Sequence, residues 1–146
     1  MAIFIIGFKC ITLVIKFKCN NGEIMKFIGT MSDFPFSDAV IHNGKILETV
    51  LTGIPPGKSE PISGGVAIEM KEIFRQLDAV LEKAGLSKEN LCSACIYLEE
   101  VKRDVDQINE VWQEYLGDHP LSRRCYGVNL QSGMLVEAAF VAEFPE

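Results

Sequence analysis

The stretch from Asp118 to Glu146, DHPLSRRCYGVNLQSGMLVEAAFVAEFPE, constrains the fold more than any other. It reads as two strands, about Ser122–Leu130 and Met134–Phe144, joined by a short Gln131-Ser132-Gly133 turn. Two residues in it do not follow from structure alone. Arg123 heads the first strand, just after a His119-Pro120 loop, and Glu137 is the only charge in the nine-residue run Met134–Ala142. Burying an unpaired carboxylate in such a strand costs several kcal/mol, so Glu137 needs a partner, water or a task. If the turn is centred on Ser132 with Leu130 opposite Met134, then Gly127 faces Glu137, and Arg123, Cys125 and Glu137 share one face of the sheet. Arg123 would then lie about four residues, roughly 13 Å, along the strand from Glu137.

The remaining elements surround this pair. Met25–Thr30 reads as a core strand, and Ala39–His42 and Lys45–Thr52 flank Asn43-Gly44, a strong hairpin signal. Met70, Ile73, Phe74, Leu77, Val80, Leu81 and Ala84 follow the helical period and predict a helix over about Gly65–Ala84, closed by Gly85. Leu91–Leu98 reads as a strand. Val105, Ile108, Val111, Trp112 and Tyr115 mark a second amphipathic helix closed by Gly117. Each helix has one apolar stripe, so both can cover one face of one sheet. The expectation is an α+β sandwich: one mixed sheet of about six strands with two helices on one face. The loop Gly53–Ser59 falls one residue short of a phosphate-binding loop, and Pro61 prevents an immediate helix, so it is not a nucleotide site.

Residues 1–24 read as an N-terminal extension without a catalytic role, preceding a domain over 25–146. Their apolar runs, interrupted by Lys9, are short of the roughly 20 residues that span a bilayer. No basic leader region or clean cleavage site marks a signal peptide. They can instead supply an extra strand, since Ile15–Cys19 alternates and Asn21-Gly22 is a turn signal, or be a non-native start translated from upstream sequence.

The net charge of −6 leaves −8 on residues 25–146 once Lys9, Lys16, Lys18 and Glu23 are set aside. That balance disfavours a phosphate backbone as partner, which needs clustered Lys and Arg. Five cysteines without regular spacing argue against a disulfide framework and for a reducing compartment, the cytoplasm or alternatively the mitochondrion. Cys92 and Cys95 fall within one predicted strand, on opposite faces, with no second Cys or His pair for a metal.

The pattern His119-Pro120-x-x-Arg123-x-Cys125, then Leu135-Val136-Glu137, resembles the C-terminal signature of the RidA/YjgF reactive-intermediate deaminases, also called L-PSP endoribonucleases. Phe36-Ser37-Asp38-Ala39-Val40, Thr52-Gly53-Ile54-Pro55 and LDAVLEKAG agree in order, so the resemblance covers about residues 25–146. It implies a chorismate-mutase-like fold, a homotrimer with sites in clefts between subunits, and hydrolysis of 2-imino acids or their enamine tautomers to 2-oxo acids and ammonia. It implies no cofactor and no metal. Arg123 becomes a carboxylate clamp, for which a guanidinium is better suited than an ammonium. Glu137 in an apolar cleft becomes the group that orients water and relays a proton. Cys125, Asn109 and Phe36 become pocket-wall residues, and Arg124 and His119 structural ones. Two departures, Phe36 for the family's usual tyrosine and Leu51-Thr52-Gly53-Ile54-Pro55 for Ser-Gly-Gln-Ile-Pro, are more similar to a divergent, YoaB-type branch. A non-catalytic carboxylate-binding protein using the same cleft is the competing reading, with an endoribonuclease or translation inhibitor behind it.

Overall fold

The computed structural model describes residues 17–20, 23–30 and 36–146. Readings that fall on residues 1–16, on Asn21-Gly22 and on Pro35 lie outside them. The strands are β1 (Phe17–Asn20), β2 (Glu23–Thr30), β3 (Ser37–His42), β4 (Ile46–Thr52), β5 (Leu91–Leu98), β6 (Ser122–Gly127) and β7 (Val136–Glu143). The helices are α1 (Val66–Ala84) and α2 (Val101–Leu116), and a short 3-10 turn, Lys88–Asn90, precedes β5. The strands form one mixed sheet in the order β1-β2-β3-β4-β7-β5-β6. Six of them belong to the region from Glu23 onward, and β1 adds a seventh antiparallel to β2.

Local chemistry explains most boundaries. The β3–β4 hairpin turns at Asn43 and Gly44, with φ of 52° and 68°, the pair of left-handed residues that a two-residue turn matching strand twist requires. Helix α1 ends at Gly85 (φ 74°), whose N–H bonds to the last carbonyls while Leu86 N–H reaches Leu81 O at 2.8 Å. This left-handed cap satisfies carbonyls that the helix itself cannot, and it buries Leu86.

Alternation along the strands sorts the two faces of the sheet. Leu47, Thr49 and Leu51 of β4, Ala94, Ile96 and Leu98 of β5, and Val136, Ala138, Phe140 and Ala142 of β7 are buried under the helices. Phe140 sits at the centre, 6.3 Å from Trp112 and 6.2 Å from Phe74 between ring centroids. Val50, Tyr97, Tyr126, Ala139 and Val141 point the other way, and no helix among the described residues covers them.

The C-terminal stretch is not a hairpin. Among the described residues β6 pairs only with β5, in parallel, while β7 runs antiparallel between β4 and β5. The Gln131–Gly133 turn exists, with Ser132 and Gly133 at φ 59° and 71°, but it lies inside a longer connection from Gly127 to Val136. Two forces separate the strands. β5, α2 and β6 form a crossover unit that lays β6 beside β5 in parallel. The apolar β7 is drawn to the sheet interior, while β6, with four of its six residues exposed, suits an edge. The connection is held across the end of β5, where Glu99 N–H donates to Leu135 O at 3.1 Å and the Glu99 carboxylate accepts from Leu130 N–H.

Candidate functional site: a clamp at the sheet edge and a carboxylate on the open face

Helix α2 crosses above β5 and β6 and presents Asn109 and Trp112, three residues apart, toward the edge of the sheet. Arg123 rises from β6 to meet them. Its Nη2 donates to Asn109 Oδ1 at 2.6 Å, and its guanidinium carbon lies 5.0 Å from the centroid of the Trp112 ring. The aromatic face and the amide fix a long side chain in one orientation while leaving most of its five donors available. Among the described residues no carboxylate forms an ion pair with Arg123. A held, uncompensated guanidinium is suited to an anion from outside the chain.

Cys125 follows on the same face, half-buried. Burial pushes its thiol pKa up and the Arg123 charge pulls it down, with burial the larger influence. It is therefore a wall residue with a protonated thiol at neutral pH, not an activated nucleophile. Arg124 occupies the opposite face. His119 holds its loop to the core, its Nε2 lying 2.8 Å from Leu91 O.

Glu137 is elsewhere. Pairing aligns Arg123 with Ala94 and Phe140 on the helix side, whereas Tyr126, Tyr97, Glu137 and Thr52 form one row on the open side. The expected shared face is thus corrected. Inserting β5 between the two strands replaces the hairpin register with one of opposite parity. Two strand spacings and three residues along the strand put the Arg123 and Glu137 backbones about 14 Å apart, with the sheet between their side chains. One small ligand cannot touch both in a single chain. Around Glu137 stand Thr52, directly opposite on β4, and Tyr97, directly opposite on β5, whose ring stacks on Tyr126 at 6.4 Å. The Tyr97 hydroxyl pKa is raised, first by a hydrogen bond with Cys95 and further by the Glu137 charge. Phe36 is exposed just before β3, four strands from β6, so it too is remote from Arg123 within one chain.

Of the residues expected to act together, the fold brings together Arg123, Asn109 and Cys125. Trp112 was legible only as part of the apolar stripe of α2. Its spacing of three from Asn109 was the available signal of a shared face. Among the described residues no group of three His, Cys, Asp or Glu is arranged to hold a metal, and Cys92, Cys95 and Cys125 are free thiols. No helix among them is long and apolar enough to cross a membrane. A groove of about 320 Å³ lies between the helices, lined by Lys71, Phe74, Arg75, Asp78, Glu114 and Tyr115 among others. Both of its cations are matched internally, Lys71 to Glu114 at 3.0 Å and Arg75 to Glu72 at 2.6 Å, and Asp78 accepts from the Tyr115 hydroxyl, so it offers no free cation to an anionic ligand.

The sequence profile described as Endoribonuclease L-PSP matches residues 30–144. The chain belongs to this family, the RidA/YjgF proteins. Among its RidA/YjgF relatives, a RutC family protein of Aquifex aeolicus is 33% identical over 84 residues, 58% of this chain and 66% of that protein. A human protein named 2-iminobutanoate/2-iminopropanoate deaminase is 28% identical over 109 residues, 74% of this chain and 79% of its own length. The fold matches that of YyfA, of the conserved Rid protein family from Yersinia pestis, with a TM-score of 0.74. That match has 24% identity and covers 82% of this chain and 99% of the other.

Proposed function

We propose that this RidA/YjgF protein hydrolyses 2-imino acids, or their enamine tautomers, to 2-oxo acids and ammonia. The observation that carries the proposal is Arg123, held by Asn109 and Trp112 and left without an acidic partner among the described residues. Its remaining donors suit a bidentate grip on the substrate carboxylate, next to the imine carbon. Water oxygen then bonds to that carbon, and the C=N π pair moves to nitrogen, which takes a proton. In the resulting carbinolamine the hydroxyl proton passes to nitrogen, the oxygen pair closes the C=O bond as the C–N bond breaks, and the oxo acid and ammonia leave. Glu137 takes the water proton and returns it to nitrogen, with Thr52 and Tyr97 beside it. The sum is imine plus water giving oxo acid plus ammonia. Arg123, Glu137, Asn109 and Cys125 form the working set, with Phe36 in the wall.

Because one chain separates Arg123 from Glu137, the reading requires a second copy to present its Glu137 to the Arg123 edge. The uncovered apolar face carrying Val50, Tyr97, Tyr126 and Val141 supports such self-association, as a homotrimer. A second reading, a carboxylate-binding protein without turnover, is favoured by the same separation, since the clamp is complete in one chain and the proton-relaying carboxylate is not.

The test generates 2-iminopropanoate and 2-iminobutanoate with an amino-acid oxidase and traps survivors with semicarbazide. Wild type is expected to hasten imine loss. Arg123→Ala is expected to lower kcat/KM about 100-fold, the loss typical of truncating one side of a desolvated charge pair. Glu137→Gln is expected to lower kcat by a similar factor with KM nearly unchanged. A folded, associated wild type that binds 2-oxo acids but leaves imine loss unchanged would establish the binding reading instead.

A further inference from the structure

The ladder between β4 and β7 stops at Thr52↔Glu137. Beyond it Gly53 turns away, and the backbone of Leu135 and Val136 loses its β4 neighbour. A side chain from α1 occupies the gap. Glu69 Oε2 accepts from Leu135 N–H at 2.9 Å and from Val136 N–H at 3.4 Å, with the residue 3% exposed. Gly53 makes room for it, since a Cβ there would lie 2.6 Å from Glu69 Cγ and 2.8 Å from Glu69 Oε2. A carboxylate is an expensive choice for a helix position flanked by Val66, Met70 and Ile73, where a leucine would fill the same stripe. Burial raises the Glu69 pKa more than its two backbone bonds lower it, and Asp104 of α2 adds to the rise.

We infer that Glu69 is a positioning residue for Glu137. Its carboxylate takes the place of the missing strand partner and fixes where β7 begins, one residue before Glu137, which projects from the open face. Without that acceptor the first residues of β7 fray, and the Glu137 carboxylate loses its fixed direction relative to water and substrate nitrogen. The inference rests on the hydrolase reading for its catalytic consequence, though not for its geometry.

The experiment compares wild type with Glu69→Gln, Glu69→Leu and Gly53→Ala. It measures kcat and KM for imine hydrolysis and the side-chain ¹³C carboxyl resonance of Glu137. Glutamine keeps one oxygen acceptor, so kcat should stay within about threefold and the Glu137 signal should hardly move. Leucine removes the acceptor, so kcat should fall about 10- to 100-fold with KM nearly unchanged, and the signal should shift. If Glu69→Leu does not fold, Gly53→Ala, which displaces Glu69 without removing it, should produce the same pattern more weakly. A folded Glu69→Leu, or failing that a folded Gly53→Ala, with wild-type kcat and an unmoved Glu137 signal overturns the inference, as does Glu69→Gln losing as much as Glu69→Leu. If wild type hydrolyses no imine, the hydrolase reading falls alone, and the carboxyl signal decides the positioning role.

Discussion

Arg123 owes its usefulness to neutral neighbours. An acidic partner would hold the guanidinium equally still but would cancel the charge a carboxylate ligand needs, whereas Asn109 and Trp112 restrain it and leave the charge uncancelled. Asn109→Ala should therefore raise the KM for an imino acid, or the Kd for a 2-oxo acid measured by calorimetry, about 5- to 10-fold. That is the scale of one hydrogen bond to a charged group, and the melting temperature should change little at so exposed a position. At this scale the sequence was readable where a residue type is out of place. Arg123 after His119-Pro120 and Glu137 inside an apolar run both stood out. Trp112 did not, because helical periodicity gives an apolar residue a core role and is silent about which polar group rests on it. Glu69 was hidden in the same way, a charge on a stripe whose other members satisfied the pattern.

Among the elements, both helices and the β3–β4 hairpin were legible because their signals are local: one apolar stripe, a closing glycine, an Asn43-Gly44 turn. Strand pairing is not local. The turn at Gln131–Gly133 is real, yet the strands on either side pair with other partners, and the resulting change of parity moved Glu137 to the far face. Glu69 shows how α1 participates in that arrangement, and its titration offers a check. Its folded pKa lies above the ordinary 4.5, so its favourable contribution is present with the group protonated, below that value, and is lost as pH rises through the raised one. Above the raised value the ionised group is a burden that glutamine relieves. The melting temperature of Glu69→Gln relative to wild type should therefore be higher at pH 7.5 than at pH 4, measured by calorimetry in matched buffers.

For the whole molecule, the two described helices cover one side of the sheet and leave the other open, where the apolar Val50 is 57% exposed. A charge there should oppose association while leaving the core intact. Val50→Asp is expected to lower the mass seen by light scattering to that of one chain, to retain helical circular dichroism, and to abolish imine hydrolysis together with association. Retained assembly with retained turnover would show that copies meet elsewhere. The clamp itself rides on β6, which among the described residues has a strand neighbour on one side only and has four of its six residues exposed, while Glu137 sits in β7 between two long pairings. Local opening should accordingly start at the clamp: amides of Arg124–Tyr126 should exchange with deuterium well before those of Ala138–Val141. A bound carboxylate, bridging β6 to whatever else contacts it, would act as a strut, slowing exchange along that strand and leaving β7 as it was. Ligand residence and the fraying of a single edge would then be one and the same clock.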